Sequence, residues 1–271
     1  GGGFRAGCRR HPVMRWAMIA DVLVTSARHQ MAMVRAHPLF LMQGVLMPAV
    51  LLLVMFYTRS RPSGVDVTAV ATAVLLMAYW GSTVWQGAVI LVRERNAGTL
   101  GASMRGVRDP ILVLTGRSLG ASLAPALLTA ATVSVMLVAL GESIVVDAPG
   151  WFAVGLVAAL ASGTALGIVL SSLFLLTRYG AQLASALLYP VFLLAGLLIP
   201  PDFFPAAIRW LGWLISLRWA QEFLVSAAAG APDFAALGLV GTLTAAYAVA
   251  GVIAFRRIDT LARERGSLEL G

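Results

Sequence analysis

The sequence predicts an all-α membrane protein. Six transmembrane helices follow an N-terminal interfacial helix, and a re-entrant extracellular helical segment lies between helices 5 and 6. Three observations carry that prediction. Hydrophobic residues make up 59% of the 271-residue chain and charged residues only 12%, about half the share usual in a soluble domain. Six stretches stay apolar for roughly the 20 residues that cross ~30 Å of hydrocarbon. Arginine is concentrated in alternate connections between those stretches, the distribution that holds loops on the cytoplasmic side of a membrane.

Residues 1–13 are rich in Gly and Arg, with His11, and lack periodicity, an expected disordered or expression-derived N-terminus with Met14 as the expected start. Residues 14–37 contain an amphipathic helix, 15–36. At about 100° per residue, Arg15, Asp21, Thr25, Arg28, His29 and Arg35 share one face, and Trp16, Ile19, Leu23, Ala27, Met31 and Val34 the other. An Arg-bearing helix with a Trp on its apolar side is expected to lie in the headgroup plane.

The transmembrane domain is expected over 38–255, with spans at 38–58, 67–92, 111–140, 151–177, 181–200 and 234–255. With both ends inside, the cytoplasmic segments hold Arg15, Arg28, Arg35, Arg93, Arg95, Arg105, Arg108, Arg178, Arg256, Arg257, Arg263 and Arg265. The outer segments hold Arg59, Arg61, Arg209 and Arg218. This orients a multi-pass protein of the cell membrane with cytoplasmic termini, residues 256–271 forming a cytoplasmic tail. Gly155, Ala159, Gly163, Gly167 and Ser171 recur every four residues in the fourth span, and Gly116, Gly120 and Ala124 open the third in the same way. Such stripes let helix backbones approach closely. Pro48, Pro125 and Pro190 predict kinks, with neighbouring groups bonding the carbonyls they leave free.

Between the fifth and sixth spans, Pro200-Pro201-Asp202-Phe203-Phe204-Pro205 leads into Ala206–Ala220, which is apolar but interrupted by Arg209 and Arg218. That stretch is too short to span, so re-entrant or interfacial helices are expected. Trp210, Trp213 and Trp219 suit an interfacial belt. Gly230, Pro232 and Asp233 turn the chain into the last span.

The composition also excludes chemistries. All 20 basic residues are Arg, the mark of a GC-rich coding genome such as a bacterium's. A phosphate-binding P-loop needs a Lys, so this chain alone is no P-loop ATPase. Cys8 is the only cysteine, which forbids an internal disulfide or thiolate cluster. His11, His29 and His37 all precede the first span, so no histidine base or His-pair metal site is expected at membrane depth. The twelve carboxylates fall in loops, at span ends or in the re-entrant segment, whereas proton-driven transporters and intramembrane aspartyl proteases need them at depth. No catalytic, cofactor or metal site is expected. Gln43, Gln86 and Gln182 are the polar intruders, each suited either to bonding a neighbouring helix or to contacting a substrate in a pathway.

The sharpest local feature follows the second span: Val92-Arg93-Glu94-Arg95-Asn96-Ala97-Gly98-Thr99-Leu100, running on through Arg105 and Arg108 to Asp109-Pro110. Together with Tyr189-Pro190-Val191-Phe192-Leu193-Leu194-Ala195-Gly196-Leu197-Leu198-Ile199-Pro200 and its continuation through Phe204-Pro205 and Ile208-Arg209-Trp210-Leu211, this stretch resembles the type-2 membrane-domain permeases of ATP-binding-cassette (ABC) exporters. The resemblance covers the chain from about Trp16. Where that family often carries Pro or Asn-Pro, this chain has Leu217-Arg218-Trp219-Ala220.

The resemblance implies a transport subunit, paired with a second permease, identical or homologous, and with separate ATPase subunits that hold ATP and Mg. It also implies roles for residues. Arg93, Glu94, Arg95, Gly98, Thr99, Leu100 and Arg105 would couple to the ATPase. Trp16, Arg28 and Arg35 would belong to a connecting helix. Pro200, Pro201, Phe204, Pro205, Trp210 and Trp213 would form the re-entrant segment. The expected cargo is a hydrophobic or amphipathic compound, drug-, antibiotic- or lipopeptide-like, with lipid or lipid-linked glycan export as the alternative. An integral membrane enzyme acting on lipids would have only Glu94, Asp109 and Glu222 to work with, and a non-transporting regulator would need neither pathway nor ATPase.

Overall fold

The computed structural model describes residues 12–36, 42–59, 66–96, 98, 110–142, 144–175, 179–199 and 203–264. Their regular structure is helical throughout. Helix α1 spans Pro12–Arg35. A π-helical turn, Met42–Leu46, leads into α2, Met47–Arg59. Then come α3 (Val67–Asn96), α4 (Pro110–Ala139), α5 (Pro149–Leu175) and α6 (Gly180–Leu194). The short α7, Ala206–Arg209, continues into a 3-10 turn, Trp210–Leu214. Helices α8, Ser216–Ala228, and α9, Phe234–Glu264, complete the chain.

Each of the six expected apolar segments coincides with a helix. Three helices are long and apolar enough to cross a membrane, at Ile111–Ala139, Pro149–Phe174 and Phe234–Arg257; Gly44–Tyr57 and Val67–Thr83 are shorter apolar stretches among the described residues. The fifth segment ends earlier than the expected 181–200. Gly196 takes a left-handed φ of 78°, Leu197 N–H donates to Phe192 O at 3.2 Å and Gly196 N–H to Leu193 O at 3.0 Å. This is the Schellman closure of a helix, and it stops α6 at Leu194. Gly230 closes α8 in the same way, through Ala231 N–H to Ser226 O at 3.0 Å. Starts are specified too: Asp66 Oδ1 accepts from Ala69 N–H at 3.1 Å at the head of α3, and Asp233 Oδ1 from Ala235 N–H at 2.9 Å at the head of α9.

Helix α3 is the axis of the bundle. It packs against α2, α4, α5, α6 and α8, and Val70, Ala71, Ala73, Val74, Leu76, Met77, Tyr79 and Trp80 are all buried. Burial on every side explains why its sequence is apolar all round instead of striped.

The small-residue stripes are the contact lines. On α5, Gly155, Ala159, Gly163, Gly167 and Ser171 are all buried. A Cβ on Gly155 would stand 2.7 Å from the Phe223 ring of α8, and one on Gly163 3.0 Å from Thr83 Oγ1 of α3. On α4, Gly116 meets Leu23 of α1, and Gly120 meets Ala27. Both helices advance four residues between these contacts, so α1 and α4 run in the same direction, side by side.

Proline effects are resolved at Pro48. Having no N–H, it cannot bond the carbonyl of Gly44. The π-helical turn sits at this point, and Thr132 Oγ1 of α4 donates to Gly44 O at 3.1 Å. Pro125 and Pro190 lie inside α4 and α6.

Two constant registers define how the last third of the chain is set. Trp151 packs edge-on to Phe234 with centroids 4.9 Å apart, and Ile168 meets Gly251. The offset is 83 residues in both cases, so α5 and α9 run parallel from a common level. Helix α8 runs the opposite way along α5. Ser162 Oγ donates to Ser216 Oγ at 2.6 Å, Gly155 touches Phe223 and Leu224, and Asp147 N–H donates to Ala228 O at 3.0 Å.

Candidate functional site

The residues singled out in the sequence fall at two ends of the bundle. At the C-terminal end of α3, Arg93, Glu94 and Arg95 occupy its last turns; their side chains lie outside the described residues. Just beyond, Gly98 has φ of +68°, a left-handed conformation that glycine adopts without steric cost and that breaks the helix direction. Thr99, Leu100 and Arg105 lie outside the described residues.

Helix α1 carries the second group. Its polar positions Asp21, Thr25, Arg28, His29 and Arg35 are exposed, while Ile19, Leu23, Ala27 and Met31 are half-buried. The split matches the faces read from periodicity, and the packed face is pressed on α4. Gln30 is buried on this face at 7% exposure, a position the apolar pattern does not mark. Trp16 lies in the first turns of α1, its side chain outside the described residues. Arg117, half-buried in α4 next to the Gly116 contact, went unremarked in the sequence because it falls within an expected span.

The third group is the segment between α6 and α9. Pro200 and Pro201 lie outside the described residues. Phe204 is half-buried and Pro205 caps α7. Trp210 and Trp213 are 57% and 59% exposed. Helix α8 is the anchored part: Ser216, Leu217, Ala220, Phe223, Leu224, Ala227 and Ala228 are buried. Gln221 Nε2 donates to Ala69 O at 2.9 Å and to Thr72 Oγ1 at 3.0 Å, tying α8 to the first turns of α3. Gln221 thus bonds a neighbouring helix. Gln43, Gln86 and Gln182 stand on the π-turn, α3 and α6; Gln182 is exposed, and the side chains of the other two lie outside the described residues.

The structure adds a cluster around Arg218, which the sequence marks only as an interruption of the apolar re-entrant segment. Arg218 lies over two indole rings, 5.8 Å from the Trp213 centroid and 5.4 Å from that of Trp219. The rings meet edge-on at 5.5 Å, and Trp219 Nε1 donates to Trp213 O at 3.1 Å. The signal was present in Trp213 and Trp219 at i−5 and i+1 of an arginine within an apolar segment.

The architecture is therefore an all-helical bundle around one enclosed helix, an N-terminal amphipathic helix docked beside it, and a short buried helix before the last long one. The family model described as ABC-2 type transporter matches residues 21–228. The chain belongs to the ABC-2 type transporter family. The match begins within α1 and ends on the last residue of α8, so the ABC-2 type membrane domain includes both the docked N-terminal helix and the anchored segment, with α9 following it. Such a domain is the membrane-embedded transport subunit that works with ATP-binding-cassette ATPases. No curated protein matches the chain.

Proposed function

We propose that the chain is the permease subunit of an ABC exporter, moving a hydrophobic or amphipathic compound across the cell membrane while ATP is hydrolysed, with Mg, in a separate ATPase subunit. Two permeases, identical or homologous, enclose the pathway. All six apolar helices span, both termini are cytoplasmic, and the segment from Phe203 to Ala228 enters the membrane from outside and returns.

One observation carries this reading. The most enclosed helix, α3, leads directly into the Arg-Glu-Arg stretch and the left-handed Gly98. A push on that end is delivered to the middle of the bundle. Glu94, between Arg93 and Arg95, is the coupling contact to the ATPase, with Thr99, Leu100 and Arg105 continuing the same docking element. Helix α1, its charged face free and its apolar face on α4, is the connecting helix and receives the same motion.

Reconstitution tests it. The purified chain alone should hydrolyse no ATP, and adding the ATPase should produce hydrolysis that responds to cargo. Glu94→Ala, and more so the Glu94→Ala, Arg95→Ala double variant, should abolish transport at normal expression. Normal transport by the double variant shows that another element couples. Cysteines at Ser143 and Ala231 should label from outside intact cells and those at Ala97 and Ala262 should not; outside labelling at Ala97 reverses the orientation.

A further inference from the structure

We propose that Arg218, Trp213 and Trp219 form a site, within the membrane, for the phosphate group of an amphiphile. The permease reading supplies its purpose, but the site is argued from depth and charge and is tested without transport.

Depth follows from two independent rulers, α5 and α9, both long and apolar enough to cross a membrane. They start level, at the Trp151–Phe234 pair. Ser216 bonds Ser162, which stands 13 residues after Pro149, about 20 Å along α5 at roughly 1.5 Å per residue. Leu214 O accepts from the Tyr247 hydroxyl, 13 residues after Phe234, which gives about 20 Å along α9 by the same rise. Arg218 is two residues from Ser216, so the guanidinium lies well inside a hydrocarbon layer of ~30 Å. An arginine at such depth is costly and marks a ligand or ion path unless it is neutralised.

Among the described residues nothing neutralises it. Nη1 is buried beside Gly212 and has no hydrogen-bond partner among the described residues. Glu222, one helical turn along, is exposed, and among the described residues no ion pair joins it to Arg218. The two indole faces stabilise the cation without cancelling its charge. A second feature adds to the positive potential. Arg218 is the third residue of the 13-residue α8, whose N-cap, Ile215, supplies no side-chain cap, and helix N-termini favour anions. A guanidinium donates in a fixed fork that fits phosphate oxygens. The apolar border, with Trp213 59% and Leu214 55% exposed, suits an alkyl chain attached to that phosphate.

The test is binding to the full chain in phosphatidylcholine nanodiscs, read by thermophoresis and by the quench of tryptophan fluorescence. Dodecyl phosphate should bind saturably, dodecyl maltoside should not match it, and inorganic phosphate should not compete. Arg218→Gln should weaken dodecyl phosphate tenfold or more, Arg218→Lys by less, and Trp213→Leu measurably. Arg256→Gln, at the far end of α9, should leave binding unchanged and so exclude general charge attraction. Unaltered binding by monodisperse Arg218→Gln overturns the site; if that variant does not fold, equal binding by Trp213→Leu and wild type does so. Equal affinity for dodecyl maltoside removes the anion specificity, and competition by inorganic phosphate assigns the pocket to a free anion; either refutes the proposal. Each of these failures would leave the ATPase-coupling result untouched, so the two readings fail separately.

Discussion

Replacing Gly120 by alanine should force α1 off α4. The added Cβ would stand 2.1 Å from Ala27 O and 2.7 Å from both Ala27 C and Cα. Ordinary contact begins at 3.4 Å, so the helices must part by about 1.3 Å (3.4 − 2.1). The obstacle is backbone, which has no rotamer to escape into. Overpacking of this kind costs about 1–3 kcal/mol, while exchanging Gly for Ala inside a helix returns about 0.5–1 kcal/mol. The propensity gain cancels when the reference is Gly241→Ala on α9, where the new Cβ meets nothing within 4 Å. The two variants should therefore differ by about 1–3 kcal/mol, several degrees in melting temperature for a chain of this size. Both are to be melted in one detergent by intrinsic fluorescence, with trypsin cleavage after Arg28 reporting release of α1. Equal melting temperatures and unchanged cleavage would refute the reasoning.

Three further outcomes are expected. Thr132→Val should cost about 0.6–1.5 kcal/mol by unpairing Gly44 O, and much less in a Pro48→Ala background, where position 48 regains an N–H; equal costs in a double-mutant melting cycle would show that Thr132 does not serve that carbonyl. Gln221→Leu removes two bonds to the head of α3 and should speed hydrogen exchange across Ser216–Ala228 while α9 keeps its protection, so uniform exchange would place the anchor elsewhere. Gly196→Val, at φ of 78°, should lower stability by about 1–2 kcal/mol, read by the same melting assay, and a neutral result would mean that α6 ends otherwise.

Periodicity and spacing recovered much of what depends on local pattern. The two faces of α1, the close-contact lines through Gly120 and Gly155, the need for a donor near Pro48 and the turn at Gly230–Asp233 were all legible. They follow from side-chain size, missing N–H groups and capping chemistry. The partners were not legible. Nothing in the sequence says that Ala27 faces Gly120, that Thr132 serves Gly44, or that Gln221 reaches Ala69, because each joins positions far apart in the chain. The end of α6 was misjudged because Leu197-Leu198-Ile199 continues the apolar run past Gly196, and hydropathy does not register a left-handed residue. Arg218 reads in the sequence only as an interruption of the apolar re-entrant segment, because its place beside Trp213 and Trp219 depends on how α8 packs, which exists only after folding.

The enclosure of α3 has a mechanical consequence. A rod gripped by five neighbours cannot slide through them singly, since every interface would have to slip at once. A load applied near Asn96 would be shared among α2, α4, α5, α6 and α8. Compliance is left to the thinly held parts. Helix α6 rests mainly on α3 and shows Leu183, Leu187 and Tyr189 outward, so of these neighbours it is one that keeps an uncovered outer face.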